Sequence, residues 1–330
     1  MYTYNSSMTR QTWLITGGAG YVGSHIADLF LANGKDVVIL DSLRQGLESR
    51  VDYLRQKHEK VIPFIDADIR DMERFAEVLS AHRPYGVIHT AALKSVSKSI
   101  EDPDEYFEVN LAATTKLLEL LILHNIQNLI FSSTAAVYGS PDHALPIKEE
   151  HPKSPISPYG ASKLAAEKEV ERFLSIPGNN GTSLRFFNVV GTAAPELLDN
   201  SRENLVPIVI NSLKVGQPPV IFGDDYQTSD GTCVRDYVDV RDVAKAHLAA
   251  ASSQKKLPLA MNIGTGNGAS VYEVIRLICD LGSHEGISPI TLPRRSGDPA
   301  FLCADPTLMR SELNFTASYS LKMSIQSLFD

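Results

Sequence analysis

Tyr159 and Lys163 stand four residues apart in Ser157-Pro158-Tyr159-Gly160-Ala161-Ser162-Lys163, a spacing that puts both side chains on one face of a helix. A phenol with an ordinary pKa near 10 is protonated at neutral pH, and a nearby ammonium favours the phenolate and lowers that value. A phenol tuned in this way exchanges a proton with a substrate hydroxyl near pH 7. The pair alone is weak, because Tyr-x-x-x-Lys also occurs on plain solvated helices. It needs a redox cofactor beside it.

The start of the chain offers a site for one. Residues 11–15 read as a short apolar strand that runs into Thr16-Gly17-Gly18-Ala19-Gly20-Tyr21-Val22-Gly23, followed by a helix over 24–33. Gly17, Gly20 and Gly23 fit the dinucleotide turn: glycine permits positive φ, lets backbone approach a pyrophosphate and lets the helix pack on the strand. Tyr21 and Val22, within this turn, are also expected to touch the cofactor, and the N-terminus of the helix supplies an anion site. A second strand over 37–40 ends at Asp41, 18 residues past Gly23, where a carboxylate binds the adenosine ribose. Asp41 favours NAD over NADP, since it repels a 2′-phosphate and no Arg directly follows it, although Arg44 stands three residues on.

The elements that must position these groups follow a strand–helix alternation from Trp13 to about Leu184, the pattern of an α/β, Rossmann-type doubly wound parallel sheet. Further strands are expected over 61–65, 86–92 and 128–131, so that Asp41, Asp68, Ala91, Lys94 and Thr134 all point into one crevice at the strands' carboxyl ends. A helix over about 104–124 is apolar nearly all round and must be covered on both sides. A second copy of the chain, giving a homodimer, and a neighbouring helix of the same chain both satisfy that need. After Gly191 the chain turns to loops rich in Pro, Asp and Gly, read as a smaller C-terminal α/β substrate domain. The expected division is 1–10 as a flexible extension, 11–188 as the NAD-binding domain and 189–330 as the nucleotide-sugar domain. Within the last, the strand over 234–240 or the helix over 271–281 would rejoin the first domain.

Composition narrows the classes. The 330 residues are 43% apolar with a net charge of −8, which suits an ordinary globular enzyme and argues against nucleic acid or an acidic membrane as partner. The run over 117–123 is far short of the roughly 20 residues that cross a bilayer. Residues 1–10 lack the apolar core of a signal peptide, so the cytoplasm is the expected location. Cys233, Cys279 and Cys303 have no paired spacing and read as reduced thiols; His82, His89, His143 and His151 show no ligand spacing, so no metal is expected.

Taken together these motifs resemble the extended short-chain dehydrogenase/reductase family and, within it, the UDP-glucose 4-epimerases. The blocks that carry the resemblance are Thr16 to Gly23, His89 to Val96, Phe131 to Gly139, Pro158 to Lys163, Leu184 to Asn188, Asp230 to Tyr237 and Arg294 to Asp298. The resemblance implies bound NAD: Asp41 on the ribose, Asp68 and Ile69 around the adenine, Ala91, Ala92 and Lys94 along the cofactor, Asn110 supporting the catalytic helix and Lys163 on the nicotinamide ribose. Thr134 takes the catalytic hydroxyl position beside Tyr159, with Lys94 and Ser132 also facing the sugar. Asn188, Asn204, Leu205, Phe222, Arg235, Arg295 and Asp298 form the implied UDP clamp, and Leu302 stands at the gate position, a bulky Tyr in enzymes restricted to glucose and galactose. Arginine forks suit a diphosphate on chemical grounds as well.

NAD, a tuned Tyr and the Thr134 hydroxyl suffice to oxidise a secondary alcohol. The resemblance also sets a contrast: related dehydratases carry Asp-Glu directly after the catalytic Thr and nucleotide-sugar decarboxylases a Glu two residues after it, whereas here those positions are Ala135 and Ala136. Without them the keto sugar is expected to be reduced again on its other face, which is 4-epimerisation of a UDP-hexose, UDP-glucose and UDP-galactose first. The small Leu302 opens UDP-N-acetylhexosamines as an alternative, and a UDP-hexuronate would need a partner such as Arg185 or Thr192. A non-catalytic NAD-binding regulator is disfavoured, because Tyr159, Lys163 and Thr134 are all kept.

Overall fold

The computed structural model describes residues 11–141, 146–201, 203–284, 286–295 and 298–330. The expected extension over 1–10, His143, Ser296 and Gly297 lie outside the described residues.

The first half alternates as expected: β1 (Thr12–Thr16), α1 (Tyr21–Ala32), β2 (Asp36–Asp41), α2 (Glu48–His58), β3 (Phe64–Asp66), α3 (Met72–His82) and β4 (Gly86–His89). Then come α4 (Val96–Glu101), α5 (Pro103–Phe107), a π-helical turn over Glu108–Ala112, α6 (Ala113–Leu123), β5 (Asn128–Thr134), α7 (Pro158–Ser175) and β6 (Asn180–Phe186). The second half holds β7 (Asn188–Val190), α8 (Leu205–Lys214), β8 (Val220–Phe222), β9 (Val234–Asp239), α9 (Val240–Ser252), β10 (Ala260–Ile263) and β11 (Gly268–Ser270). It closes with α10 (Val271–Leu281), β12 (Ile290–Leu292), β13 (Phe301–Leu302), α11 (Thr307–Leu313) and α12 (Leu321–Gln326).

Seven parallel strands form the main sheet in the order β10-β6-β5-β4-β1-β2-β3, the doubly wound arrangement with one strand added. The two-residue period of each strand divides the core between its faces. Ile15, Ile39 and Ile88 pack with Ile26 and Phe30 of α1 and Val243 and Ala250 of α9. Leu14, Val38, Val87 and Phe131 face Phe75, Leu117, Leu121, Val170 and Phe173 of α3, α6 and α7. The smaller part pairs β11, β9 and β13, with β7 on β9, while β12 pairs β8.

Four expectations are corrected. The third strand covers only Phe64–Asp66; Val61 is 96% exposed, and Pro63 has no N–H to give a ladder. The fourth stops at His89. The apolar helix is broken by the π turn at Glu108–Ala112, and its end is open, with Ile122 and Leu123 exposed while Leu117, Leu118 and Leu121 are buried. The segments that return to the main part are α9, against α1, and β10, against β6; β9 pairs within the smaller sheet but places Val238 in the main core, while α10 packs in the smaller core.

Candidate active site

A cleft of about 560 Å³ opens at the carboxyl ends of the central strands, lined by the glycine turn, Asp41, Asp68 and Ile69, Ala91 to Lys94, Ser132, Tyr159 and Lys163. Gly17 holds φ at +71°, and a Cβ there would stand 2.7 Å from the Ala91 backbone nitrogen; a Cβ on Gly23 would stand 2.1 Å from the Gly17 carbonyl. The turn is therefore closed tightly enough that α1 starts at Tyr21, three residues before the expected start. The first N–H groups of α1 thus face the cleft without carbonyls one turn earlier, as an anion site requires. The Tyr21 hydroxyl donates to the Gly191 carbonyl at 2.5 Å, and His25 bonds the Ala193 N–H through Nε2, so α1 also fixes the loop across the cleft.

Asp41 ends β2 with its carboxylate held by the N–H groups of Ala19 (3.0 Å) and Leu43 (2.9 Å). Burial pushes its pKa up, and those N–H groups pull it back. Arg44 is forked onto Glu105 at 2.6 and 3.1 Å. Asp68 is held by Arg70 at 2.9 and 2.8 Å, which lowers its pKa. The glycine turn, the helix start and the Asp41 carboxylate together fit a dinucleotide.

At the other end of the cleft, Ser157 caps α7 by accepting the Gly160 N–H at 3.1 Å, and Pro158 takes the first turn. Gly160 lets the helix approach the turn over 135–138, since a Cβ would lie 2.6 Å from the Ala136 carbonyl. This close approach sets the Tyr159 phenol near Thr134, whose hydroxyl pulls the phenol's pKa down. Thr134 is fixed by ending β5 and accepting the Ala136 N–H at 3.2 Å. Ala135 and Ala136 form the short 3₁₀ turn that follows.

The electrostatics differ from the sequence expectation. Desolvation raises the Tyr159 pKa, opposed by the Thr134 hydroxyl rather than by Lys163. Lys163 is 2% exposed, its Nζ 4.0 Å from the Phe131 ring centroid, and burial drives its pKa down to about 7. The pair is on one face, but the group that favours the phenolate is the Thr134 hydroxyl.

Asn110 and Ser132 are implied by the family resemblance, whereas the partners they take, and the bridge made by His89, carried no sequence signal. Asn110, in the π turn, is buried and lies behind the cleft; its amide bonds the backbone of Leu93 and the Ser162 hydroxyl at 3.1 Å, tying the loop after β4 to α7. His89 joins Thr16 (2.7 Å) to Thr114 (2.9 Å), and its pKa falls to about 3 through burial and nearby Lys163. Ser132 bonds Nε2 of His247 at 2.9 Å. The Ser-Pro and Ser-x-x-x positions of the motif around Tyr159 are visible in sequence; the long-range partners are not.

The remaining predicted residues lie outside this cleft. Asn188 starts β7, Asn204 precedes α8 and donates to Asp199 at 2.6 Å, and Leu205 opens α8. Arg235 of β9 is paired in register with Leu302 of β13 and lies 3.7 Å from the Asp298 carboxylate. Arg295 covers the Phe222 ring at 3.7 Å. Leu302 is packed with Val137, Tyr138, Phe187 and Ala304. Asn204 follows Glu203, which lines the cleft. Two candidates for a sugar carboxylate are corrected: Arg185 is buried on Glu167 and the Tyr138 hydroxyl, and Thr192 is buried and donates to the Ala194 carbonyl. The described Cys233, Cys279 and Cys303 are free and buried.

Residues 13–264 match the family model described as the NAD dependent epimerase/dehydratase family. The chain is 38% identical over 312 residues to a UDP-glucose 4-epimerase of Halalkalibacterium halodurans, covering 93% of this chain and 90% of that one. It is 36% identical to the UDP-glucose 4-epimerase of Mus musculus over 96% of this chain and 95% of that one. Among solved structures, the Stenotrophomonas maltophila UDP-glucose-4-epimerase with bound NAD and formylated UDP-arabinopyranose superimposes with a TM-score of 0.90 at 35% identity, over 97% of both chains. The Bifidobacterium longum UDP-glucose 4-epimerase with NAD+ and UDP gives 0.90 at 35%, over 96% of this chain and 97% of that one. With its glycine turn, Asp41 at the end of β2 and the Tyr159–Lys163 helix in place, the chain belongs to the NAD-dependent epimerase/dehydratase family, the extended short-chain dehydrogenases/reductases.

Proposed function

We propose that this protein is an NAD-dependent 4-epimerase of UDP-hexoses, with UDP-glucose and UDP-galactose as its substrate pair. The observation that carries the reading is the Tyr159 phenol set beside the Thr134 hydroxyl, at a strand end that continues as Ala135 and Ala136. The relatives' names support the same reaction.

The glycine turn, the start of α1 and Asp41 would hold NAD, with Asp68, Ile69, Ala91, Ala92 and Lys94 along it and Lys163 on the nicotinamide ribose. When bound, NAD supplies the hydride acceptor and donor at the sugar's C4. Thr134 orients the 4-hydroxyl, and Tyr159 takes its proton and later returns one to the keto oxygen. Burial of Lys163 near neutrality lets its charge respond to the phenol, so the amine supports the phenolate as it forms. No carboxylate follows Thr134 to remove a second proton, so the keto sugar is reduced on its other face.

On the nucleotide side, Asn188, Asn204, Leu205, Phe222, Arg235, Arg295 and Asp298 would grip UDP. In this reading residues 11–188 serve the cofactor and 189–330 the nucleotide sugar, with 240–263 returning to the cofactor part. Arg235 and Arg295 offer the forks a diphosphate takes. A wider sugar range rests on the size of Leu302 alone, a residue that is buried against Val137 and Tyr138 beside Arg235. Turnover of UDP-N-acetylglucosamine by wild type and by Leu302→Tyr tests it, and equal turnover would remove Leu302 as the gate.

Exposed Phe107, Ile122 and Leu123 around the broken helix support a homodimer, and a monomer mass by light scattering at micromolar concentration would reject it. Among the described residues no helix is long and apolar enough to cross a membrane; with the three buried free thiols this supports the cytoplasm as its place. Formation of UDP-galactose from UDP-glucose tests the function itself.

A further inference from the structure

The adenosine end of the cleft holds a guanidinium that the reaction does not use. Arg44 lines the cleft three residues beyond Asp41. An arginine in this neighbourhood is the usual partner of a ribose 2′-phosphate, the group that distinguishes NADP from NAD. Here its fork is taken by Glu105, with Nη1 and Nη2 at 2.6 and 3.1 Å from the two carboxylate oxygens. The pairing raises the Arg44 pKa and lowers that of Glu105.

Glu105 is held in place for this. Asp102 caps α5 by accepting the Glu105 N–H at 3.1 Å, and Pro103 opens the helix. The second guanidinium of this corner, Arg70, is likewise forked onto Asp68 and reaches Glu108 at 3.5 Å. Asp41 has both oxygens on backbone N–H groups, so Arg44 has no claim on it.

We propose that Glu105 is a specificity-determining residue for the cofactor: by occupying the fork of Arg44 it withholds that guanidinium from a 2′-phosphate and, with Asp41, selects NAD over NADP. The inference rests on the NAD reading above and extends it to residues outside the glycine motif. The pair is partly exposed, with side-chain accessibilities of 49% for Arg44 and 27% for Glu105, so its effect on binding is modest. Glu105 also acts as a bare negative charge at the rim, and the experiment must separate the two effects.

Wild type, Glu105→Gln, Arg44→Gln and the double variant are equilibrated with NAD and a large excess of NADP. Bound dinucleotide is then released with acid and separated by chromatography. Glu105→Gln is expected to raise the bound NADP:NAD ratio by roughly threefold or more, and the same change made on Arg44→Gln is expected to leave that ratio nearly unmoved. An unchanged ratio in Glu105→Gln overturns the proposal, and so does an equal rise in both backgrounds, which would assign the effect to charge alone. Extracts without dinucleotide from any of the four proteins would overturn the cofactor reading, and this proposal with it.

Discussion

The Nζ of Lys163 rests 4.0 Å from the ring centroid of Phe131, on the strand that ends in Thr134. The contact places a nearly fully buried amine against an aromatic face, and burial lowers its pKa from 10.5 to about 7. A group whose folded pKa is depressed binds fewer protons folded than unfolded between the two values, so its contribution to stability rises as pH climbs from about 7 to 10.5. At pH 7 the buried Lys163 therefore costs stability. Lys163→Met is expected to stabilise the cofactor-free fold at pH 7 by roughly 1–3 kcal/mol while slowing turnover by roughly 10²-fold or more. Urea unfolding and initial rates check both halves; loss of stability at pH 7 would contradict the first.

Tyr159→Phe removes only the proton-carrying oxygen and leaves the ring among its neighbours. Epimerisation should fall by roughly 10²–10⁴-fold with NAD still bound, as read by rates and by the dinucleotide content of the purified variant. Activity close to wild type would refute the proton-transfer role.

Three buried histidines set the acid limit of the fold. His25, His89 and His247 have pKa values lowered to about 4, 3 and 4 by burial, from 6.5. Each contributes stability that is fully present above pH 6.5 and is lost as pH falls through that value toward the folded pKa. A combined loss of several kcal/mol is expected between about pH 6.5 and 4. The only tryptophan of the chain, Trp13, is buried between Phe30 and Tyr85, so its fluorescence reports unfolding. A melting temperature flat from pH 7 to 4.5 would contradict the assignment.

Arg185 and Glu167 form a buried ion pair at 2.7 Å, with Ser133 donating to the same carboxylate. Removing one partner leaves a buried charge unpaired, so Arg185→Met should cost roughly 3–5 kcal/mol in urea unfolding. The same variant should show no altered preference between UDP-glucose and UDP-glucuronate. A selective change toward either sugar would return Arg185 to the substrate site.

What could be read from the sequence divides along local and long-range lines. The glycine turn, Asp41 and the Tyr159–Lys163 helix are local patterns, and β1, α1, β2 and α7 realise them within a few residues. Thr134 was reachable because it ends a strand. The neighbours that set the chemistry were not: the approach of Thr134 to Tyr159, the Asn110–Ser162 tie and the His89 bridge each join segments 25 to 73 residues apart. Periodicity carries no information about such contacts. It also treated residues 104–124 as one helix, whereas the π turn that positions Asn110 interrupts it.

The account stands most directly on one assay. Purified protein with its bound NAD is incubated with UDP-glucose, and the nucleotide sugars are separated over time. Accumulation of UDP-galactose to a constant ratio, without net reduction of added NAD, is the predicted result; unchanged UDP-glucose, with no 4-epimer formed from any of a panel of UDP-sugars, would contradict it.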